Sequence, residues 1–188
     1  MVQKSDEQLL IETGEGLNES FRELVSRFQD RVYNTCFGFL KRQEDTEEIA
    51  QDVFLHIHEK AKTFRSESKA GTWIYRIAVN KSLEFLRWKS REKRSGFFNT
   101  ISIEDQKNRS NWEHPGIQME NRERATILYS KIESLPEKQR IAFVLHKIEG
   151  ISYKEIAEIM ELSLSAVESL IFRAKTNLRK ELENYYKS

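Results

Sequence analysis

The chain has 188 residues, of which 38% are hydrophobic and 32% are charged, with only seven glycines and two prolines. This composition is typical of small helical domains with thin cores, and so few turn-forming residues argue against an all-β fold. The sequence predicts no membrane span, because no apolar run reaches about 18 residues, and it predicts no signal peptide. We also expect no internal disulfide, because Cys36 is the single cysteine, and no metal site, because the four histidines are scattered.

The formal net charge of +1 hides a strong asymmetry along the chain. Residues 1–59 hold 6 basic and 13 acidic residues, net −7, whereas residues 60–95 hold 11 basic and 3 acidic residues, net +8. Such separation predicts an acidic face for a protein partner and a basic face for phosphate groups. Two solvated faces without partners are the alternative.

The stretch from Phe21 to about Arg94 has the apolar spacing of helices. Its first run includes Cys36, which we expect to be a buried structural thiol. A second helix is predicted to begin at Asp45 as N-cap, with Glu48 three residues later. The inner stripe of that helix is predicted to consist of Ile49, Val53, Ile57 and Ala61.

An acidic strip lies on the solvent side of this second helix and consists of Asp45, Glu47, Glu48, Gln51 and Asp52. The helix dipole favours the first of these residues, but Gln51 and Asp52 lie too far along the helix for that. We therefore predict a docking face for a basic helical partner.

The next predicted helix, residues 72–88, carries a distinct polar face. Trp73, Arg76, Asn80 and Arg87 share this side, and Phe64 and the stretch RSESKAG precede it. Single-stranded DNA binds to such a combination, because unpaired bases stack on rings, an amide reads a base edge and cations hold phosphates. The alternative is that most aromatic residues of the segment belong to the core.

The periodicity is lost between Ser95 and about Asn121, which predicts a linker. We assign the domains as 1–95, a linker of 96–124, and 125–188. The second domain is predicted to contain four helices, one of which starts at Pro136 and ends before Gly150.

The last two helices of the second domain each have an apparent serine cap: Ser152 precedes Glu155 by three residues, and Ser165 precedes Glu168 in the same way. The first helix is predicted to turn Ile156, Ala157 and Met160 inward, and the short turn after it predicts a helix-turn-helix. Glu161 stands at a turn position where a left-handed backbone is expected.

The final helix combines a narrow apolar stripe, centred on Val167 and Ile171, with an opposite face of small polar, basic and aromatic side chains. At about 100° per residue, that face holds Ser165, Ser169, Phe172, Arg173 and Thr176. Small residues allow close approach to a major groove, arginine reads guanine or phosphate, and an aromatic ring contacts a thymine methyl group. An ordinary helical hairpin is the alternative, but it does not explain an aromatic residue so far from the stripe.

Two sequence blocks resemble a known family. DTEEIAQDVFLHIHEKAKTFRSESKAGTWIYRIAVNKSLEFLR resembles region 2 of bacterial sigma factors, and IESLPEKQRIAFVLHKIEGISYKEIAEIMELSLSAVESLIFRAKTNLRK resembles region 4. With only these regions and a short linker, the chain resembles the extracytoplasmic-function (group IV) sigma factors of the sigma-70 family. The resemblance implies an all-α protein of two small helical domains joined by a flexible linker.

The resemblance also implies roles for the candidate residues. Region 2 would dock on the β′ clamp helices of core RNA polymerase through Asp45, Glu48, Gln51 and Asp52. It would open the −10 promoter element with Phe64, Trp73, Arg76, Asn80 and Arg87. Region 4 would rest on the β flap and read the −35 element with Ser165, Ser169, Phe172, Arg173 and Thr176.

The expected function is therefore promoter-specific transcription initiation, without enzymatic activity, cofactor, metal or small-molecule substrate. The family implies a cytoplasmic protein that binds core polymerase, promoter DNA and an anti-sigma factor, which is often membrane-anchored. A stand-alone helix-turn-helix regulator is the first alternative, although it offers no role for the acidic strip. A helical adaptor that binds only protein is the second, and it leaves Phe172 and the basic segment unexplained.

Overall fold

The computed structural model describes residues 4–94 and 119–187, with side chains for 4–92 and 127–183. These residues form α-helices and one 3₁₀ turn: α1 (Asp6–Gly14), α2 (Asn18–Leu40), α3 (Gln43–Lys60), the 3₁₀ turn (Ala61–Thr63), α4 (Ala70–Arg94), α5 (Met119–Ser134), α6 (Glu137–Lys147), α7 (Tyr153–Met160) and α8 (Leu164–Lys187). No strand occurs among them, which confirms the all-α prediction. Helix α5 begins inside the predicted linker 96–124, most of which lies outside the described residues.

Helices α1 to α4, the first helical unit, pack around the apolar stripes that the sequence predicts. The predicted inner stripe is buried: Ile49, Val53 and Ile57 lie in α3, and Ala61 begins the 3₁₀ turn. Cys36 has no exposed surface, and burial raises the pKa of its thiol to about 11. The predicted structural role of this cysteine is therefore consistent with its position in the core.

Helix α1 is an element that periodicity did not predict. Its N-cap Ser5 accepts a hydrogen bond from the Gln8 backbone N–H at 3.2 Å, and Leu9 and Leu10 are buried against the rest of the unit. The signal is present in the sequence, as a serine followed by two acidic residues in the first turn and a short apolar stripe. It is weak because the helix has only nine residues.

The predicted start of α3 is wrong by a few residues. The helix begins at Gln43, and its N-cap is Arg42, which makes no capping bond through its side chain. Asp45 lies in the first helical turn, where the helix dipole stabilises its negative charge. Its carboxylate accepts a hydrogen bond from Lys89 Nζ at 2.6 Å.

Helices α5 to α8, the second helical unit, confirm some predicted caps. Ser152 and Glu155 form the reciprocal capping box at the start of α7. Pro136 is the N-cap of α6 rather than its first helical residue, and Gly150 follows the helix with a φ of 68°. Glu161 has the left-handed backbone expected of it, with φ at 54°.

Two details of the helix-turn-helix need correction. Ser165 is not the cap of α8, because the helix begins at Leu164 and Ser163 Oγ accepts the bond from the Ala166 backbone N–H at 3.3 Å. Glu168 therefore completes no capping box. In α7 the buried pair is Ile156 with Ile159, while Ala157 and Met160 are only partly buried.

The two units pack directly on each other, and their buried residues form one continuous cluster. Helix α6 lies against α2, where a Cβ placed on Gly38 would be only 2.7 Å from Val144 Cγ1. Helix α7 lies against α4. We call this packing the closed arrangement.

Candidate nucleic-acid and polymerase interfaces

The outer face of α8 presents the predicted row of side chains to solvent. Ser165, Arg173 and Thr176 are exposed, Ser169 is half-buried, and Phe172 is 72% exposed. The opposite stripe is buried and anchors the helix to its unit through Val167, Ile171, Ala174 and Leu178. The sequence therefore placed these five residues on the correct side of the helix.

A shallow groove beside this row contains one residue that sequence reasoning missed. Lys138 of α6 lines the groove together with Ser165, Ser169 and Arg173 of α8. Its exposed ammonium adds a second cation next to the Arg173 guanidinium. Helical periodicity within α8 could not reveal it, because Lys138 comes from another helix, and its only signal is its place in the first turn of α6.

The face of α4 gathers the second predicted set. The rings of Phe64 and Trp73 meet edge to face at 5.8 Å between centroids, and both are partly exposed. Asn80 and Arg87 are exposed further along the same helix, and Arg76 lies between them and the ring pair. Phe64 and α4 together thus present rings, an amide and cations in one row, as stacking and phosphate contacts require.

The closed arrangement occupies the cations of this row. Arg76 Nη2 donates a hydrogen bond to the Glu158 carbonyl oxygen at 2.7 Å, and its Nη1 lies 3.8 Å from Glu161. Arg87 lies 3.6 Å from Glu137. The second unit therefore supplies acceptors to groups that we predicted would hold phosphates.

Just before α4, Lys69 makes a further contact of this kind. Its ammonium lies 2.7 Å from the Glu155 carboxylate, and this contact raises the pKa of Lys69 and lowers that of Glu155. Acidic groups of α7 thus meet basic groups around the start of α4.

A partly buried carboxyl, that of Glu149, also lies between the two units. Tyr75 Oη donates a hydrogen bond to Glu149 Oε2 at 3.2 Å, while Glu149 Oε1 is buried without a hydrogen-bond partner. Burial raises the pKa of Glu149 to about 7 and raises that of Tyr75 as well, and the charge of Arg31 opposes both shifts. Closing the two units therefore favours a protonated Glu149.

The acidic face of α3 lies on a different helix from the two rows described above. Glu48, Gln51 and Asp52 are exposed, whereas the side chain of Asp45 is only 17% exposed and pairs with Lys89. Leu55, which the sequence reasoning missed, is 62% exposed and continues the row at helical spacing. A leucine one turn beyond two acids was the available signal, and it adds an apolar contact to the polar face.

Two searches of the described residues gave negative results. No group of three or more histidine, cysteine, aspartate or glutamate side chains is placed to hold a metal ion in the described part of the chain. Among the described helices, none combines the length and apolar character that a membrane crossing demands.

Comparison with protein families finds two matches in this chain. Residues 24–92 match "Sigma-70 region 2", and residues 125–178 match "Sigma-70, region 4". These two regions, in this order, define the class of RNA polymerase sigma factors.

Relatives of known name extend over nearly the whole chain. It is 32% identical to the ECF RNA polymerase sigma-E factor of Haemophilus influenzae, over 96% of this chain and 97% of the relative. It is 33% identical to the ECF RNA polymerase sigma-E factor of Escherichia coli K12, over 93% of each chain. The chain therefore belongs to the extracytoplasmic-function (ECF) sigma factors of the sigma-70 family.

Solved structures support the fold. The chain resembles CnrH, solved in complex with the cytosolic domain of CnrY, with a TM-score of 0.71 and 23% identity over 96% of this chain and 99% of CnrH. It also resembles the sigma factor RpoE of Bartonella quintana, solved with the anti-sigma factor NepR, with a TM-score of 0.71 and 19% identity over 88% of this chain and 98% of that one.

Proposed function

We propose that this sigma factor divides its contacts among three surfaces. The α3 face (Glu48, Gln51, Asp52) docks on the β′ clamp helices of core polymerase, with Asp45 at its margin. The α4 row (Phe64, Trp73, Arg76, Asn80, Arg87) separates the −10 strands. The α8 row (Ser165, Ser169, Phe172, Arg173, Thr176) reads the −35 element while the second unit rests on the β flap.

The observation that carries this proposal is the α8 row. Phe172 is 72% exposed on a helix whose other side is fully engaged in the core. Leaving a large apolar ring in water is unfavourable unless a partner covers it. The small Ser165 and Ser169 before the ring, Thr176 after it and the Arg173 cation complement a major groove, where a thymine methyl and a guanine edge are available.

The α4 row is proposed to act only after the closed arrangement opens. Arg76 and Arg87 cannot hold phosphates while they contact Glu158, Glu161 and Glu137. We therefore propose that the two units separate when the chain binds polymerase and promoter.

The partners and setting follow the family. We propose that the protein is a non-enzymatic, cytoplasmic subunit that takes no small-molecule substrate and is held in check by an anti-sigma factor. The Bartonella RpoE was solved with the anti-sigma factor NepR, and CnrH was solved with the cytosolic domain of CnrY.

The decisive experiment is in vitro transcription with core polymerase on a library of the organism's own genomic fragments. The sigma factor is expected to create start sites that core polymerase alone does not use. Binding of the chain to duplex DNA without polymerase, and no new start sites, would instead indicate a stand-alone regulator.

The α8 assignment is tested with Arg173→Ala. We expect about a tenfold loss of transcript from promoters that depend on the −35 element, because a lost arginine–base contact costs about 1–3 kcal/mol, and unchanged affinity for core polymerase. Lys147→Ala, which removes the same charge from the end of α6, is the matched control. Equal transcript levels from Arg173→Ala and wild type would contradict the proposal that α8 reads the −35 element.

The α3 assignment is tested with Asp52→Ala in a core-polymerase binding assay. We expect weaker binding, with a salt dependence smaller than that of wild type, because one charge has left the interface. Glu19→Ala, an acidic residue in the first turn of α2, is the control. Wild-type affinity of the Asp52 variant at low salt would exclude the α3 face as the docking surface.

A further inference from the structure

The loop of residues 64–69, which connects the 3₁₀ turn to α4, is held at both of its ends by the same short helix. At its far end, the backbone N–H of Ala70, the first residue of α4, donates a hydrogen bond to Glu7 Oε1 at 3.1 Å. This bond is the main cause that lowers the pKa of Glu7. Since Ala70 begins α4, the Glu7 carboxylate caps a helix from outside the local sequence.

The near end of the loop is held by contact between backbones. A Cβ on Gly14, the last residue of α1, would lie 2.8 Å from the Lys62 nitrogen and 2.9 Å from the Ala61 carbonyl carbon. Only a bare Cα allows α1 to approach the 3₁₀ turn so closely. The Phe64 backbone N–H donates a hydrogen bond to the Ala61 carbonyl oxygen at 3.0 Å. The position of the turn therefore fixes the backbone that carries the Phe64 ring.

The loop itself has a conformation that needs such support. Ser66 has a φ of 54°, in the left-handed region that serine rarely adopts. A strained residue of this kind persists only where the surrounding structure fixes the backbone on both sides. Arg27 in turn ties α1 to α2, through Asp6 at 2.8 Å and the Lys4 carbonyl oxygen at 2.9 Å.

From this geometry we infer that α1 positions the 64–69 loop for base capture, with Glu7 and Gly14 as the positioning residues. The inference rests on the proposed function of Phe64 and Trp73 in contacting unpaired promoter DNA. Neither Glu7 nor Gly14 touches DNA in this scheme. Each acts by fixing one end of the loop, so that the ring pair meets an unpaired base without first ordering the backbone.

The test uses holoenzyme assembled from core polymerase and the full-length sigma factor, on a promoter identified by the transcription assay. Strand opening is followed by 2-aminopurine fluorescence within the −10 element. Affinity for core polymerase and unfolding in urea are measured in parallel. Glu7→Ala is expected to slow opening about tenfold, with core affinity unchanged, because a charged acceptor is lost from the start of α4.

Three further variants separate positioning from general stability. Glu7→Gln keeps an oxygen for the Ala70 N–H and is expected to recover most of the opening rate. Gly14→Ala, which changes no charge, is expected to slow opening because its new methyl group pushes α1 away from the 3₁₀ turn. The matched control is Glu12→Ala, which removes another acid of α1 whose contacts are with Lys4, Gln8 and Ser20 rather than with the loop.

The outcomes distinguish this inference from the proposal beneath it. If Trp73→Ala slows opening but Glu7→Ala and Gly14→Ala do not, α1 has no positioning role. If Glu12→Ala slows opening as much as Glu7→Ala, the effect is one of helix docking, and the inference is also wrong. If Trp73→Ala itself leaves opening unchanged, the proposed role of the α4 row fails first.

Discussion

The contact between α2 and α6 allows a sharp test of the closed arrangement with Gly38→Ala. A Cβ at this position would lie 2.7 Å from Val144 Cγ1 and 3.1 Å from Val144 Cγ2. Valine is restricted at χ1, and Val144 is fully buried, so its methyl groups cannot turn aside. The new methyl group must therefore push the two helices apart.

The expected magnitude is the difference of two terms. Overpacking of this kind costs about 1–3 kcal/mol, whereas alanine in place of glycine inside a helix gains about 1 kcal/mol. In the closed arrangement both terms apply, and we expect a net loss of about 1 kcal/mol. If the units were apart, only the gain would remain, so the sign of the change reports on the contact.

The assay is urea denaturation followed by circular dichroism, with Val144→Ala as the second arm of a double-mutant cycle. Val144→Ala alone is expected to cost about 2 kcal/mol, because it leaves a cavity in the core. In the double variant the added methyl group occupies part of that cavity, so the two costs should fall short of additivity by about 1–3 kcal/mol. A gain of stability for Gly38→Ala, or additive costs, would refute the packing.

Two further predictions concern stability. Below pH 4.5 Glu149 is mostly protonated in both the folded and unfolded states, but between pH 4.5 and about 7 only the unfolded state loses its proton. A pKa shift of this size corresponds to roughly 3.4 kcal/mol of unfolding free energy over the full pH range, and partial exposure of the carboxyl to solvent lowers that figure. Relative to Glu149→Gln, the wild type should therefore lose about 2 kcal/mol of unfolding free energy between pH 5 and 8. Parallel pH profiles of the two proteins in urea titrations would contradict this. Ser152→Ala should lower the free energy of unfolding by about 1 kcal/mol in the same assay, because it breaks the capping box of α7. Ser165→Ala, which removes no cap, should lower it by less than about 0.5 kcal/mol. Equal losses for the two variants would contradict the assigned start of α8.

The sequence predicted the elements whose information is local and periodic. The stripe of Val167 and Ile171 fixed which side of α8 faces the core, and therefore which side presents Phe172. The capping box of α7 was predicted because its two partners are three residues apart. The same rule failed at α8, where Ser163 and Ser165 both precede the apolar run and only the geometry decides between them.

Other features depend on residues distant in the chain and left no periodic signal. Nothing in the sequence near Ala70 indicates that Glu7 caps its helix, since 63 residues separate the partners. From the sequence alone, Gly38 only lowers the helix propensity of α2. Its packing role becomes clear from the contact with Val144 of α6. Arg76 and Arg87 were predicted to face DNA from their common side of α4, but the sequence could not show that residues of α6 and α7 and the turn after α7 contact both arginines in the closed arrangement.

The energetics of the interface indicate what holds the closed arrangement and what can release it. The pairs of Lys69 with Glu155, Arg76 with Glu161 and Arg87 with Glu137 each include a side chain that is more than half exposed. Such pairs contribute about 0–1 kcal/mol each and are weakened by salt, so they set the alignment of the units rather than their affinity.

The buried apolar contacts between the two units, among them α6 on α2 and α7 on α4, must then supply most of the stability of the closed arrangement. DNA phosphates can replace the acidic partners of Arg76 and Arg87 while releasing condensed counterions, which gives those cations a better partner than a rim carboxylate. Promoter DNA would therefore compete effectively for the cations but not for the buried surface around Val144. Opening by DNA alone should stay incomplete, and a second partner that covers the apolar face of the second unit is needed to complete it.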